Sequence, residues 1–274
     1  MANSAQIIGL YRYPLKSARG QPLTEARLTA TGLEGDRHWL LVTPQGKFIT
    51  QRETPQLALL RTDLDGDTLC VSATDLPEMR IAAQDANEPC QVEIWRDVCA
   101  AFAASSNVSQ TLSQWLKREC RLVRFNAAHE RRCNPLWTGA SKAITAFADG
   151  YPMLLVNNAS LADLNRRLGV KLPVNRFRPN LVIDGLEPYA EDHLAELQTG
   201  DIVLRIVKPC ERCVVTTTDQ ATGLRDGGEP LRTLRGYRYD AALHGVTFGH
   251  NAIGVAGIGK MLRQGAPLTL RWRQ

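Results

Sequence analysis

Along the first third of the chain, apolar and polar residues alternate in short runs. Ile7–Tyr13, Trp39–Thr43, Leu57–Asp63 and Thr68–Ser72 each read as a strand, with turns at Pro14, Gly32–Gly35, Pro44–Gly46 and Asp65–Gly66. Val92–Trp95 and Cys99–Ala103 extend the series. Short strands at such close spacing predict a barrel or a sandwich. The period changes near Asn107. Val108, Leu112, Trp115 and Leu116 fall on one helical face, and Ser106 or Asn107 is placed to cap the first turn. A second helix, Ser160–Leu168, aligns Leu161, Leu164 and Leu168 and stops before Gly169. The polar, basic stretch Asn126–Lys142 reads as a domain junction or an active-site loop. Strands return at Leu181–Asp184, Ile202–Val207, Val214–Thr218, Val246–Phe248 and Leu268–Trp272. Strands that outnumber helices without alternating with them predict an α+β, mostly β architecture.

Composition narrows the class. The 274 residues suffice for one or two domains with a substantial core. A net charge of +5 accommodates an anionic ligand but lacks the concentrated basic stripe of a nucleic-acid binder. No run approaches the length of an apolar membrane span, and Met1–Arg12 lacks the basic-then-apolar pattern of an export signal. The expected location is therefore the reducing cytoplasm, with no membrane partner and with the seven cysteines as free thiols.

Several motifs fail on inspection. Gly254–Lys260, GVAGIGK, fits a phosphate loop until Met261 replaces the Ser or Thr that holds Mg²⁺, so it reads as a glycine turn. Asp63, Asp65 and Asp67 begin like a calcium loop, yet Thr68 and Thr74 stand where glycine and glutamate are needed, so they read as a hairpin turn. The five histidines never fall at zinc-site spacing.

One close cysteine pair stands out, in KPCERCVVTTT at 208–218. It could be half a zinc site, a redox dithiol, a soft-metal ligand on a β-hairpin, or two structural thiols. The zinc reading wants a second pair of ligands. The redox reading wants a helix after the first cysteine, whereas VVTTT favours a strand. Flanking Lys208 and Arg212 would favour a thiolate, the ligand form for a soft metal. Spacing alone leaves the choice open.

The longer segment KPCERCVVTTTDQATG resembles the KPCSRCxxTTVDPxTG signature of MOSC-domain molybdenum-cofactor proteins, which include the bacterial YcbX enzymes and the mitochondrial amidoxime-reducing components. Tyr13–Ser17 (YPLKS), Gly32–Leu41 (GLEGDRHWLL), Phe147–Asn165, Asn175–Ile183 (NRFRPNLVI), Gly227–Tyr237 and Phe248–Ile253 (FGHNAI) resemble further family segments in the same order. Glu211 departs from the Ser of many family members.

The resemblance implies an N-terminal β-barrel-like domain over residues 1–120 and a MOSC β-barrel domain with a few packed helices over residues 121–274. It implies a molybdenum cofactor (Mo-molybdopterin) with Cys213 as metal ligand and catalytic centre, and Cys210 as a neighbour. Lys16, Ser17, Arg37, Asp149, Arg178, Arg212 and Asn251 are the implied cofactor-binding residues. Arg forks, a Lys charge and a Ser hydroxyl are suited to the phosphate of a molybdopterin. The implied activity is reduction of small N-hydroxylated compounds: hydroxylamines, amidoximes and N-hydroxylated base analogues. YcbX continues into a ferredoxin-like domain and this sequence does not, so electrons are expected from a separate ferredoxin-like protein or flavoprotein reductase. The alternative is a cofactor carrier or sulfur-transfer module without turnover of its own.

Overall fold

A computed structural model describes residues 5–225 and 227–273. Seven strands close into a ring. Ala5–Arg12 pairs with Leu181–Asp184 on one side and with Pro267–Trp272 on the other. Pro267–Trp272 continues to Leu194–Thr199, which pairs with Ile202–Glu211, which pairs with the long strand Gly245–Ala256. Met153–Asn157 closes the ring between Gly245–Ala256 and Leu181–Asp184. Closure removes the unpaired strand edges that a flat sheet would expose. The interior holds Ile7, Leu10, Leu155, Ile183, Leu197, Leu204 and Leu268. Each such side chain contributes roughly 1.5–3 kcal/mol on burial.

The remaining strands form smaller antiparallel sheets. Trp39–Val42, Arg121–Phe125, Asp97–Ala103 and Glu88–Ile94 lie side by side in that order. Arg61–Asp65, Thr68–Ala73 and Leu76–Ala82 make a meander. Helix Ser106–Leu116 packs Leu112 and Leu116 into the core that this meander shares with Trp39 and Leu57. The halves of the chain interlock: the first strand completes the barrel of the second half, and Arg121–Phe125 joins the sheet of the first.

Most expected elements appear, some with altered ends. The mostly β architecture is as expected, and the Asp65–Gly66 turn joins a hairpin of Arg61–Asp65 and Thr68–Ala73. Three expectations need correction. Val214–Thr217 is a 3₁₀ turn, not a strand. The Thr216 hydroxyl donates to the Cys213 carbonyl and the Thr217 hydroxyl to Val214, so side chains close the helical turn despite β-branching. Pro55–Leu59 is also a 3₁₀ turn, begun by a proline with helix-compatible φ, and the strand starts only at Arg61. Helix Ser106–Leu116 has Ser105 at its cap position and no side-chain cap bond.

Met153–Asn157 is an additional strand. It is buried throughout and runs parallel to Leu181–Asp184 through helix Asn158–Leu168, so it lacks the alternation of a one-sided strand. Gly249, at φ +71°, lets this strand approach: a Cβ there would lie 2.5 Å from the Leu155 carbonyl oxygen. Gly249→Ala is expected to destabilise the fold by more than about 2 kcal/mol, the combined cost of left-handed backbone and a backbone clash. A chemical denaturation curve checks this through the midpoint at constant slope.

Candidate functional site

The segments quoted from the sequence meet at one cavity of about 530 Å³. Lys16, Ser17, Arg37, Asp149, Arg178, Arg212, Cys213 and Asn251 all line it, although up to 235 positions separate them in the chain. Cys210, Glu211, Asn180, Arg52, Trp95, Tyr151 and His244 line it too. Tertiary structure therefore gathers every candidate site residue into a single concave surface.

Tyr13 organises the cationic wall. Its fully buried ring has the Arg37 and Arg178 guanidinium carbons each 4.3 Å from its centroid. The Tyr13 hydroxyl donates to the Pro179 carbonyl at 3.1 Å, and its backbone N–H donates to Asp36 at 2.8 Å. Asp36, itself buried, also accepts from Arg37. Arg37 donates to Asn180 Oδ1 at 2.9 Å and to the Arg178 carbonyl at 3.2 Å. Asn180 also accepts from the Leu154 backbone N–H and donates to the Tyr11 carbonyl, which ties this wall to the barrel. Burial pushes Arg178 down to about 10, which leaves it cationic at neutral pH.

A second wall centres on Lys16. Its ammonium donates to the Phe147 carbonyl at 2.7 Å and to Asp149 at 2.6 Å. Burial pushes Lys16 down to about 8, with Asp149 opposing the shift. Asp149 sits in the cavity mouth, its side chain still reached by solvent, and Lys16 and Arg52 hold its carboxyl well below the usual carboxylate range against the opposing effect of desolvation. Buried Arg131 positions this segment from behind, donating to the carbonyls of Ala146, Ala148 and Asp149. Arg131 belongs to the polar Asn126–Lys142 stretch, so that stretch supports the site without lining the cavity. Nothing in its sequence context distinguishes Arg131 from the exposed arginine beside it.

The two thiols differ. Cys210 lies near the end of strand Ile202–Glu211, and Cys213 follows just before the 3₁₀ turn, so they do not sit on a hairpin together. Arg212 donates to Cys210 Sγ at 2.9 Å and to the Phe177 carbonyl at 2.7 Å. Burial nevertheless pushes the Cys210 thiol up, with Arg212 only opposing the shift. Asn251 donates to the Lys208 carbonyl at 3.2 Å, and Lys208 pairs with Glu211.

Two further observations single the cavity out as a candidate site. The buried Arg178 Nη2 and Arg212 Nε have no hydrogen-bond partner. Buried guanidinium N–H groups left unpaired are a local free-energy cost carried by two side chains of the cavity wall. In addition, Ser17, Arg37, Trp95, Arg178 and His244 all have positive φ, five of the eight such non-glycine residues described. Each costs on the order of 1 kcal/mol, and such strain concentrates at functional sites. The donor set suits a molybdopterin: arginine and lysine for phosphate, asparagine for a polar ring, and a thiol for the metal.

The family models and the curated relatives agree with each other. Residues 4–119 match the MOSC N-terminal beta barrel domain, and residues 143–269 match the MOSC domain. The chain is 38% identical over 244 residues to mitochondrial amidoxime-reducing component 1 of Homo sapiens, covering 84% of this chain and 71% of that protein. It is 32% identical over 238 residues to mitochondrial amidoxime reducing component 2 of Homo sapiens, again covering 84% and 71%. A solved structure, the YuaD protein from Bacillus subtilis, aligns with a TM-score of 0.43 at 11% identity, covering 99% of this chain and 97% of its own.

Lys16 offers a pH test. Its folded value of about 8 lies below the roughly 10.4 of an unfolded lysine, so burial favours the neutral amine. Stability gains from deprotonation should appear as pH rises from about 8 to about 10.4, while the positive charge on the cavity wall is lost. Affinity for a phosphate monoester is expected to fall up to about tenfold as pH rises through about 8, the scale of one charge-assisted hydrogen bond. Calorimetric titration across this range should show the step in the native protein and its loss in Lys16→Met.

Proposed function

The chain belongs to the MOSC family, with the mitochondrial amidoxime-reducing components among its relatives, and on that premise we propose that it is a molybdenum-cofactor-dependent reductase of N-hydroxylated compounds. One observation carries the reading. Cys213 lines the same cavity as the cationic side chains of Lys16, Arg37, Arg178 and Arg212. A thiol in one cavity with several cationic side chains suits a metal carried by an anionic organic cofactor.

In this reading Cys213 would hold the metal as its thiolate. Arg37, Arg178, Lys16 and Ser17 would hold the phosphate and pterin, with Arg212 and Asn251 on the wall that carries Cys213. When bound, the cofactor supplies two-electron redox and oxygen-atom-transfer chemistry. The protein's own work is positional. Asp36 and Tyr13 keep Arg37 and Arg178 in place, and Arg131 and Asp149 orient Lys16. The net reaction takes an N–OH group, two electrons and two protons to N–H and water. The N–O bond breaks, nitrogen is reduced, and the departing oxygen leaves as water. The electrons come from a separate donor, of the ferredoxin or flavoprotein-reductase class. A reducing cytoplasm is the compartment proposed for this chain, where a working thiol stays free. Among the described residues no helix is long and apolar enough to cross a membrane.

Protein purified from cells making molybdopterin is expected to carry about one molybdenum per chain, the ratio for a single thiolate ligand. Cys213→Ala should lose the metal, and Cys210→Ala should be much milder. Metal analysis by mass spectrometry decides this; a metal-free native protein or a metal-retaining Cys213→Ala sinks the assignment. Turnover is the second check. Protein with NADH and an amidoxime should be inactive until a donor system is added. A carrier would instead bind molybdopterin and fail to reduce amidoximes even with artificial reductants.

A further inference from the structure

Trp95 occupies a position that the chemistry above does not explain. It begins the two-residue turn between strands Glu88–Ile94 and Asp97–Ala103, whose register pairs Ile94 with Asp97. Its φ is +58°, a conformation that favours glycine or asparagine in such a turn. A tryptophan held there is strained, and 52% of it remains exposed. The turn nevertheless reaches the cavity, and Trp95 is part of its lining.

The indole is held in orientation from three directions. Arg52 lies over the ring, 4.5 Å from its centroid. Phe48 meets it at 5.1 Å and 61°, an edge-on contact. The indole N–H donates to Asp149 at 3.3 Å, and that carboxylate also receives Lys16. Strain, exposure and three-point fixation together give a rigid aromatic surface at the cavity mouth. An aromatic surface fixed in advance binds a flat π-system with little loss of side-chain entropy.

We propose that Trp95 is a specificity-determining residue that stacks the planar part of an N-hydroxylated substrate at the cavity mouth. This rests on the reading of the cavity as a reductase site. It goes further in assigning selectivity between flat aromatic and small aliphatic substrates to one side chain of the hairpin. Trp95 supplies no group to the N–O bond itself, so its stacking contribution is read in KM. Trp95→Phe, which also loses the N–H to Asp149, separates stacking from that hydrogen bond.

The test compares native protein with Trp95→Phe and Trp95→Ala, each loaded with cofactor. With a chemical reductant, the ratio of kcat/KM for benzamidoxime to that for acetamidoxime should fall about tenfold in Trp95→Ala, through KM, and should be largely kept in Trp95→Phe. That fall corresponds to about 1.4 kcal/mol, within the range for one aromatic stacking contact. Benzamidoxime affinity is also measured by calorimetry with no reductant present, where Trp95→Ala should weaken it by a similar factor and Trp95→Phe by far less. If the native protein binds benzamidoxime through Trp95 but never reduces it, the proposed activity fails while the stacking role stands. If both the selectivity ratio and the affinity are unchanged in Trp95→Ala, or the native protein does not bind benzamidoxime, the stacking role is overturned. A loss of turnover confined to protein donors, with chemical reductants unaffected, also overturns it and makes the hairpin a donor-docking element.

Discussion

The Tyr13 ring with Arg37 and Arg178 against it is the contact on which the cavity depends. Two guanidinium groups would not gather at one buried ring unless their repulsion were offset. The π-face attracts both, and buried Asp36 neutralises one. Asn180 then links Arg37 to the backbone of Tyr11 and Leu154. The cationic wall is thus part of the barrel and not a set of flexible surface charges. Its donors are aimed before any ligand arrives, which lowers the entropic cost of binding an anion.

Strain follows the same logic. Ser17, Arg37 and Arg178 have left-handed backbone at a position where each bears a polar side chain. Glycine would relieve the strain and remove the group the cavity needs. The surrounding hydrogen bonds over-determine these conformations: Arg37 N–H donates to Tyr13, Arg178 N–H donates to Asn175, and the Ser17 carbonyl accepts from Gln51. The stability given up locally is recovered in the barrel core, where Ile7, Leu155, Ile183 and their neighbours are removed from water.

Much of the fold was legible because half-buried strands and amphipathic helices leave periodic marks. Leu181–Asp184 could be read directly, and Leu161 and Leu164 of the second helix are buried as their spacing requires. The VVTTT run was misread because its hydroxyls, not its β-branching, decided the local backbone. Met153–Asn157 left no alternation because both its faces are covered. The site residues were legible only as segments that resemble a family. A single Arg or Lys carries no mark that separates a cavity wall from a solvated surface, and Arg131 shows the consequence.

By itself the sequence determined a mostly β chain, its helical faces, and the segments that carry site chemistry, since period and residue type are local properties. Tertiary structure decided which segments meet. The first strand closes a barrel whose other strands begin at Met153, and Lys16 reaches Asp149 across 133 positions. It also decided that Cys210 is half-buried against Arg212, that Arg178 and Arg212 each keep a buried unpaired N–H, and that Trp95 lines the cavity. The physical reason is that burial, desolvation and strain exist only once distant segments surround a group, and no neighbour in the chain can supply them.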